Sequence, residues 1–411
     1  MKLQLTAMSQ SVRRSLFPLT FLIAIAFPFC VVAAPVYEED FDKELPPGVF
    51  SHDKQKLEIF TSPKGQRVLG PLHQGTLTLH LDKLPPHQAL RVSFDYCLAG
   101  WWDGTPWDGP DLVSFGLKDG PELMSTTFSN QYKLYIDKYW QSFPENYRPE
   151  QLALVRRLGS IFKSQKLEAP MDGILQRGGL GALGHEHLGF TVGKVFTDMR
   201  YRLDFVFLHR QAALDFLYRD SGKNHGNWAA LDQVRVELLT ELPSPKLFAV
   251  DWQVLLGDEP MAALAAKYRL ALHPELVRAA LRRYLPGDPP ASLPSMIEAL
   301  DQRGPGRDHA RRQILELGAA ARNELQDSLA VAKTAQPERQ EQLESLLAEL
   351  RQHQPTAPEL TTRQLWRLAD LARLCGDECR RDFAEDLESM ALDALKLKSR
   401  SSVAVNKEDR R

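Results

Sequence analysis

Eleven residues, Trp101-Trp102-Asp103-Gly104-Thr105-Pro106-Trp107-Asp108-Gly109-Pro110-Asp111, hold three of the chain's seven tryptophans together with three aspartates. Indole faces can stack on sugar rings, and carboxylates accept hydrogen bonds from hydroxyls, so the mixture suits a ligand platform. It also suits a corner that plugs one end of a fold, with aspartates bonded to backbone amides in turns. Glycine and proline make the stretch a structured loop. Within it Trp102-Asp103-Gly104 reads as the corner. That leaves Trp107, Asp108 and Asp111, with Trp101 beside them, as the expected ligand-binding residues.

Asp40, Asp42 and Asp232 form the expected metal set, with calcium as the cofactor. If the first and last strands of a sandwich are neighbours, these carboxylates converge and offer the oxygen ligands calcium takes. Asp232 shares strand parity with Val234 and Val236, which points it inward, where an unpaired charge is costly. The other reading of the three is as carboxylates bonded to backbone amides or to an arginine. His185-Glu186-His187 could ligate a metal, but its glycine-flanked position reads more simply as an exposed loop, and the His-Glu-x-x-His spacing of zinc proteases is absent. No strand carries a Glu-x-Asp-x-Glu pattern, and there is no Gly-x-Ser-x-Gly elbow. A glycosidase needs two carboxylates flanking one bond, and the sequence does not single out such a pair. The glycine run Gly178 to Gly184 lacks the Gly-Lys-Ser/Thr ending of a phosphate loop.

Strands must hold the tryptophan loop in place. Leu77, Leu79 and Leu81 alternate with polar residues, as do Leu90, Val92, Phe94, Tyr96 and Leu98. Val113, Phe115 and Leu117 follow the loop, and the pattern returns at Tyr201 to Phe207, Leu214 to Tyr218 and Val234 to Leu238. Period two puts one face of each strand in a core. Many such strands, with no alternating helices, predict an antiparallel β-sandwich over residues 36–242. Residues 131–184 interrupt it with tyrosines, a short helical pattern after Pro149 and the glycine run, and read as an insertion.

Past Pro243-Ser244-Pro245 the period changes to 3.6. Helices are expected at Val250–Leu256, Met261–Leu272, Pro274–Leu285, Leu293–Leu300, Asp308–Leu317, Ala320–Ala332, Pro337–Gln352, Thr361–Leu374 and Asp377–Leu397. Pro274, Pro337 and Thr361 are helix-opening residues. Residues 246–398 therefore predict an α-helical solenoid or bundle, and 399–411 a disordered tail. The arginine pairs on these helices, such as Arg311-Arg312, alternate with acids and read as solvated faces.

The first half resembles jelly-roll sandwich domains of laminin-G or concanavalin type found in secreted bacterial proteins. The resemblance rests on Glu39-Asp40-Phe41-Asp42, Val92-Ser93-Phe94-Asp95 leading into Trp102-Asp103-Gly104, Thr126 to Asn130, and Trp228 to Val236. It implies binding or adhesion, often to glycans or surface polymers. The second half resembles a HEAT-like helical module through Ser295 to Asp301, Ala310 to Gly318, Arg339 to Leu350 and Leu365 to Ala372, and departs from it at Cys375-Gly376-Asp377-Glu378-Cys379. Protein docking is what that likeness implies. Fold analogy alone does not establish it.

The N-terminus has a charged region, an apolar run from Leu16 to Val32 and a small-residue ending, the order of a signal peptide over residues 1–33. An uncleaved anchor is the competing reading. The expected location is therefore outside the cytoplasm: periplasm, cell surface or medium, with no integral span once the signal is cut. Cys97, Cys375 and Cys379 then remain. The last two sit four apart in a helical pattern and share a face, a spacing that bridges with difficulty, so a disulfide framework is not indicated. The 411 residues, 43% hydrophobic and 25% charged, have a net charge of −2. Nothing there favours nucleic acid. The expectation is a non-enzymatic exported protein whose sandwich contacts a glycan or envelope polymer and whose helices dock a protein. A carbohydrate-active hydrolase or lyase, and a purely structural envelope component, are the alternatives.

Overall fold

Sixteen strands are present among the described residues, and the main run of helices follows the last of them. The computed structural model describes residues 35–105, 110–130, 140–150, 175–192, 196–221, 226–282, 293–301, 305–317, 321–332, 337–353 and 360–394. The expected signal peptide, the 399–411 tail, Trp107, Asp108 and most of the 131–184 insertion lie outside them.

One sheet contains β1 (Pro35–Glu39), β3 (Ile59–Thr61), β4 (Arg67–Leu72), β6 (Ala89–Ala99), β11 (Gly184–His185), β14 (Met199–Leu208) and β16 (Trp228–Leu239). Its order is β11-β14-β6-β16-β4-β3, with β1 also on β16. The second sheet runs β2 (Phe50–His52), β5 (Gly75–Leu81), β15 (Leu214–Asp220), β7 (Leu112–Leu117) and β8 (Glu122–Thr127). Every pairing in both sheets is antiparallel. The alternating apolar residues face one another across the two sheets. Phe94 of β6 tilts against Phe115 of β7 at 5.7 Å and meets Phe216 of β15 edge-on at 6.0 Å. Phe94, Phe115 and Phe205 are 2% exposed or less, and each such side chain contributes roughly 1.5–3 kcal/mol by leaving water.

The first and last strands are neighbours, as expected. β1 and β4 both lie along β16, β4 beside Ala229 to Leu231 and β1 beside Val234 to Glu237. Between those stretches the register of β16 against β6 shifts. Asp232 faces Asp95, and the next partners are Arg235 and Ser93, so Gln233 and Val234 together oppose Phe94. Gln233 takes a left-handed φ of 50°. This is a β-bulge, with one extra residue that changes which face the chain presents.

At the edges of the insertion, β9 (Trp140–Gln141) pairs with β10 (Gln176–Arg177), while β12 (Thr191–Val192) pairs with β13 (Phe196–Thr197) further along. Gln141 is fully buried and holds this region together. Its amide donates to the carbonyls of Phe143 and Leu180 and accepts from the N–H groups of Ser129 and Gly179.

The described helices include α1 (Phe248–Leu256), α2 (Pro260–Ala271), α3 (Pro274–Leu281), α4 (Leu293–Ala299), α5 (Pro305–Leu317), α6 (Arg322–Ala332), α7 (Pro337–His353) and α8 (Thr362–Leu374). Proline opens α2, α3, α5 and α7, and Thr361 with Gln364 forms a capping box on α8. Trp252, Leu270, Val277 and Leu368 share one helical core, and Ile297, Ile314, Leu325 and Leu346 share another. Arg311 of α5 pairs with Glu349 of α7. No helix among the described residues is long and apolar enough to cross a membrane.

The helical part docks on the sandwich, and the described residues of both belong to one compact unit. Tyr268 of α2 enters the sandwich core, meets Phe205 edge-on at 5.5 Å and donates its hydroxyl to the Leu123 carbonyl at 3.0 Å. Arg148 from the insertion pairs with Asp370 of α8 and with Glu388 in the helix 385–394. Arg367, 2% exposed, donates to Glu145 at 2.7 Å and to the carbonyls of Leu255 and Gly257. Enclosed beside these groups, Lys267 has its pKa lowered by burial, with Asp370 and Glu145 pulling the other way. The sequence patterns showed solvated arginines but not this buried set.

Candidate functional site

The tryptophan corner is built by two close backbone crossings. Gly100 has φ 93°, and a Cβ there would lie 2.1 Å from the Gly226 carbonyl oxygen; Gly104 has φ 74°, and its Cβ would lie 2.0 Å from the Trp140 oxygen. Only glycine fits either place. Trp102 between them is fully buried and donates its indole N–H to the carbonyls of Ala99 and Trp228, at 3.0 and 3.1 Å. Thr105, Thr127 and Ser142 continue the corner inward as a chain of buried hydroxyls. Trp102-Asp103-Gly104 is a corner, as expected.

Trp101 turns outward, 44% exposed, while its backbone N–H donates to the Asn227 side-chain oxygen at 2.9 Å. Asp111 goes the other way and is 4% exposed. It accepts from the Asp103 N–H at 2.9 Å, and its own N–H donates to the Gly104 carbonyl. Burial pushes its pKa up to about 7, with the Asp103 and Asp220 carboxylates adding to the rise; hydrogen bonds from the Asp103 N–H and the Asn227 side chain pull it back. Asn227 therefore links the backbone of Trp101 to the buried carboxyl. Trp107 and Asp108 lie outside the described residues, so Trp101 and Asp111 are the expected binding residues whose positions are described.

Of the expected calcium ligands, Asp40 and Asp42 are exposed, and Asp40 accepts from the Asp42 N–H in a local turn. Asp232 does not point into the core. The bulge at Gln233 flips its parity relative to Val234 and Val236 and places it on the outer face beside Asp95. Among the described residues no three His, Cys, Asp or Glu side chains are grouped to hold a metal ion.

That outer face holds a second constellation. Asp95 accepts from Arg200 at 3.3 Å and Arg202 at 3.1 Å. Asp232 accepts from the Gln233 N–H at 2.8 Å, and burial pushes its pKa up to about 6, with the facing Asp95 charge also raising it. Beside them Asp198 accepts from the N–H groups of Leu188 and Phe190, which fastens the 186–190 loop over the sheet. His187 of that loop has its pKa lowered by burial and by Arg200. Phe60, Phe190 and Trp228 form a half-buried aromatic cluster with centroids 5.0 to 6.0 Å apart. Trp228 also supplies a carbonyl to the Trp102 indole, so the cluster and the corner share one residue. Sequence reading missed Asp95 and Asn227. The step from Leu231 to Val234, three residues where period two needs an even number, was the available signal of the bulge.

No family model and no curated protein matches the chain. Among solved structures it is similar to a 4-O-methyl-α-glucuronidase with specificity for decorated arabinogalactans, at 8% identity and TM-score 0.23, over 50% of this chain and 18% of that one. It is also similar to the K3 cleaved adhesin domain of Lys-gingipain from Porphyromonas gingivalis, at 10% identity and TM-score 0.25, over 50% and 99%. A rhamnosidase from Klebsiella oxytoca aligns at 9% identity and TM-score 0.15, over 87% and 86%. At TM-scores this low the likenesses carry neither a shared fold nor a function to this chain.

Proposed function

We propose that this is an exported, non-enzymatic binding protein in which a jelly-roll sandwich contacts a glycan or envelope polymer and a HEAT-like helical module docks a protein. The observation that carries the reading is the Trp101 indole, open to solvent on a backbone pinned by Asn227, with Asp111 on the other side of that amide. A flat aromatic face on a fixed corner loses little entropy when a sugar ring stacks on it. The antiparallel sheets support the jelly-roll reading, and the successive helices with shared cores support the HEAT-like one.

A polysaccharide array tests the binding reading. Retention of a glycan by the wild type, lost in Trp101→Ala with the thermal midpoint unchanged, supports it. No retention by a folded wild type leaves the structural-component reading.

One observation favours a carbohydrate-active hydrolase as a second reading. Asp95 and Asp232 face each other on neighbouring strands, one ion-paired to two arginines and the other with a pKa near 6. A carboxyl that holds its proton more tightly, beside a second carboxylate, is the pairing an acid role requires. Release of reducing sugar from a bound polymer, lost in Asp232→Asn, would move the protein to that class.

A further inference from the structure

Cys375 is the C-cap of α8, and Cys379 ends the short helix α9 (Asp377–Cys379). Spacing alone put them on one helix face. Gly376, with φ 96° and ψ 175°, breaks the helix between them instead. Cys375 packs against the helical core that contains Cys379, and the two thiols interact across the break. Cys375 is half-buried and Cys379 is 3% exposed. A continuous helix holds an i,i+4 pair in poor geometry for a bridge. A turn with its thiols already in contact removes that obstacle.

The turn also joins the two elements that grip the sandwich. Asp370 on α8 and Glu388 on the 385–394 helix both bind Arg148 of the insertion, and Arg373, two residues before Cys375, pairs with Glu388 as well. A covalent link at the turn fixes one arm of this clamp relative to the other.

We propose that Cys375 and Cys379 are a redox-responsive pair that closes as an intramolecular disulfide and locks the clamp on Arg148. The oxidant is a disulfide, small or protein-borne. The Cys375 thiolate, the more accessible of the two, attacks one oxidant sulfur and expels a thiolate, leaving a mixed disulfide. Cys379 gives its proton to solvent and attacks the Cys375 Sγ, and the second oxidant thiolate leaves. Two protein thiols lose two electrons, and one oxidant disulfide becomes two thiols. The hydrogen bond to Cys379 and burial hold the Cys375 thiol well above its usual range, so closure is slow at neutral pH and quickens in mild alkali. Cys97 does not compete, being fully buried under the 186–190 loop.

The test uses the full chain, incubated with excess glutathione disulfide in mild alkali, quenched with acid, denatured and alkylated with N-ethylmaleimide. Peptide mass analysis is expected to find a Cys375–Cys379 link with Cys97 still alkylated, and the linked protein to melt above the reduced one. In Cys375→Ser and Cys379→Ala the link and the rise in midpoint are both absent, with circular dichroism of each variant in reductant reporting an intact fold. Full alkylation of both thiols after oxidation overturns the proposal. So does glutathione remaining on Cys375, or a linked protein that melts no higher than the reduced one.

Discussion

Asp95 and Asp232 face each other across neighbouring antiparallel strands, and one extra residue at Gln233 is the reason they do. Two carboxylates directly opposite on one sheet face repel. Arg200 and Arg202 offset the charge of Asp95, while Asp232, with its pKa up at about 6, takes a proton readily.

The folded state binds a proton at Asp232 that the unfolded chain releases near pH 4. Its contribution to stability is therefore complete below that pH and is lost as pH rises through about 6. Asp232→Asn keeps an acceptor for the Gln233 N–H and removes the titration. The variant is expected to gain on wild type by about 2–3 kcal/mol between pH 4 and pH 7, since each tenfold difference in proton affinity between the folded and unfolded chain is worth roughly 1.4 kcal/mol. Urea denaturation at a series of pH values measures the gap, and a gap that stays constant with pH rules the account out.

His209, which packs against His87, works in the opposite direction. The rings stack 12° from parallel, with His87 Nε2 2.8 Å from His209 Nδ1, and His87 Nδ1 donates to the Pro85 carbonyl at 2.6 Å. That bond fixes a proton on His87 Nδ1, so in the neutral pair His209 donates to His87 Nε2. Burial and the neighbouring His87 lower the pKa of His209. A folded state that prefers neutral histidine keeps its full stability above about pH 6.5 and loses it as pH falls below that. His209→Asn retains a donor for His87. Thermal midpoints recorded from pH 7.5 down to 5 should fall less for the variant than for wild type.

The two adjacent tryptophans should respond differently to mutation. Trp102→Phe removes the bonds to Ala99 and Trp228 and leaves their carbonyls buried without that donor. The expected cost is about 1–3 kcal/mol. Trp101→Ala, at a position 44% exposed, is expected to leave stability within about 0.5 kcal/mol. Equal losses in denaturant titrations of the two variants would contradict the assignment of corner and platform.

Arg148→Ala strands Asp370, which is 4% exposed, without its partner from the insertion. Arg373 remains 3.9 Å from Asp370, so the expected cost is about 1.5–3 kcal/mol, that of a lost charged hydrogen bond. Because Arg148 ties the sandwich to α8 and the 385–394 helix, the loss should also separate the two halves in unfolding. Helical circular dichroism and tryptophan fluorescence should coincide for wild type and part for the variant; coincident curves in both would place the coupling elsewhere.

Much of the architecture is written in local periodicity. Leu77 to Leu81 and Tyr201 to Phe207 show their inward faces because a strand's side chains alternate whatever lies around them. Thr361 and Pro337 open helices because capping is satisfied within a few residues of the chain. The glycines and Trp102 of the corner could likewise be read from their types.

Tertiary structure decided what periodicity averages over. One bulge residue moved Asp232 to the opposite face, since every side chain beyond it changes parity. Asp95 became part of a constellation only when β6, β14 and β16 aligned. Arg148, Arg367 and Lys267 were buried by partners more than a hundred residues away in sequence, and no local pattern encodes that distance. Gly376 turned a helical cysteine pair into a corner. A short-range signal fixes an element; which charges meet depends on how the finished elements pack.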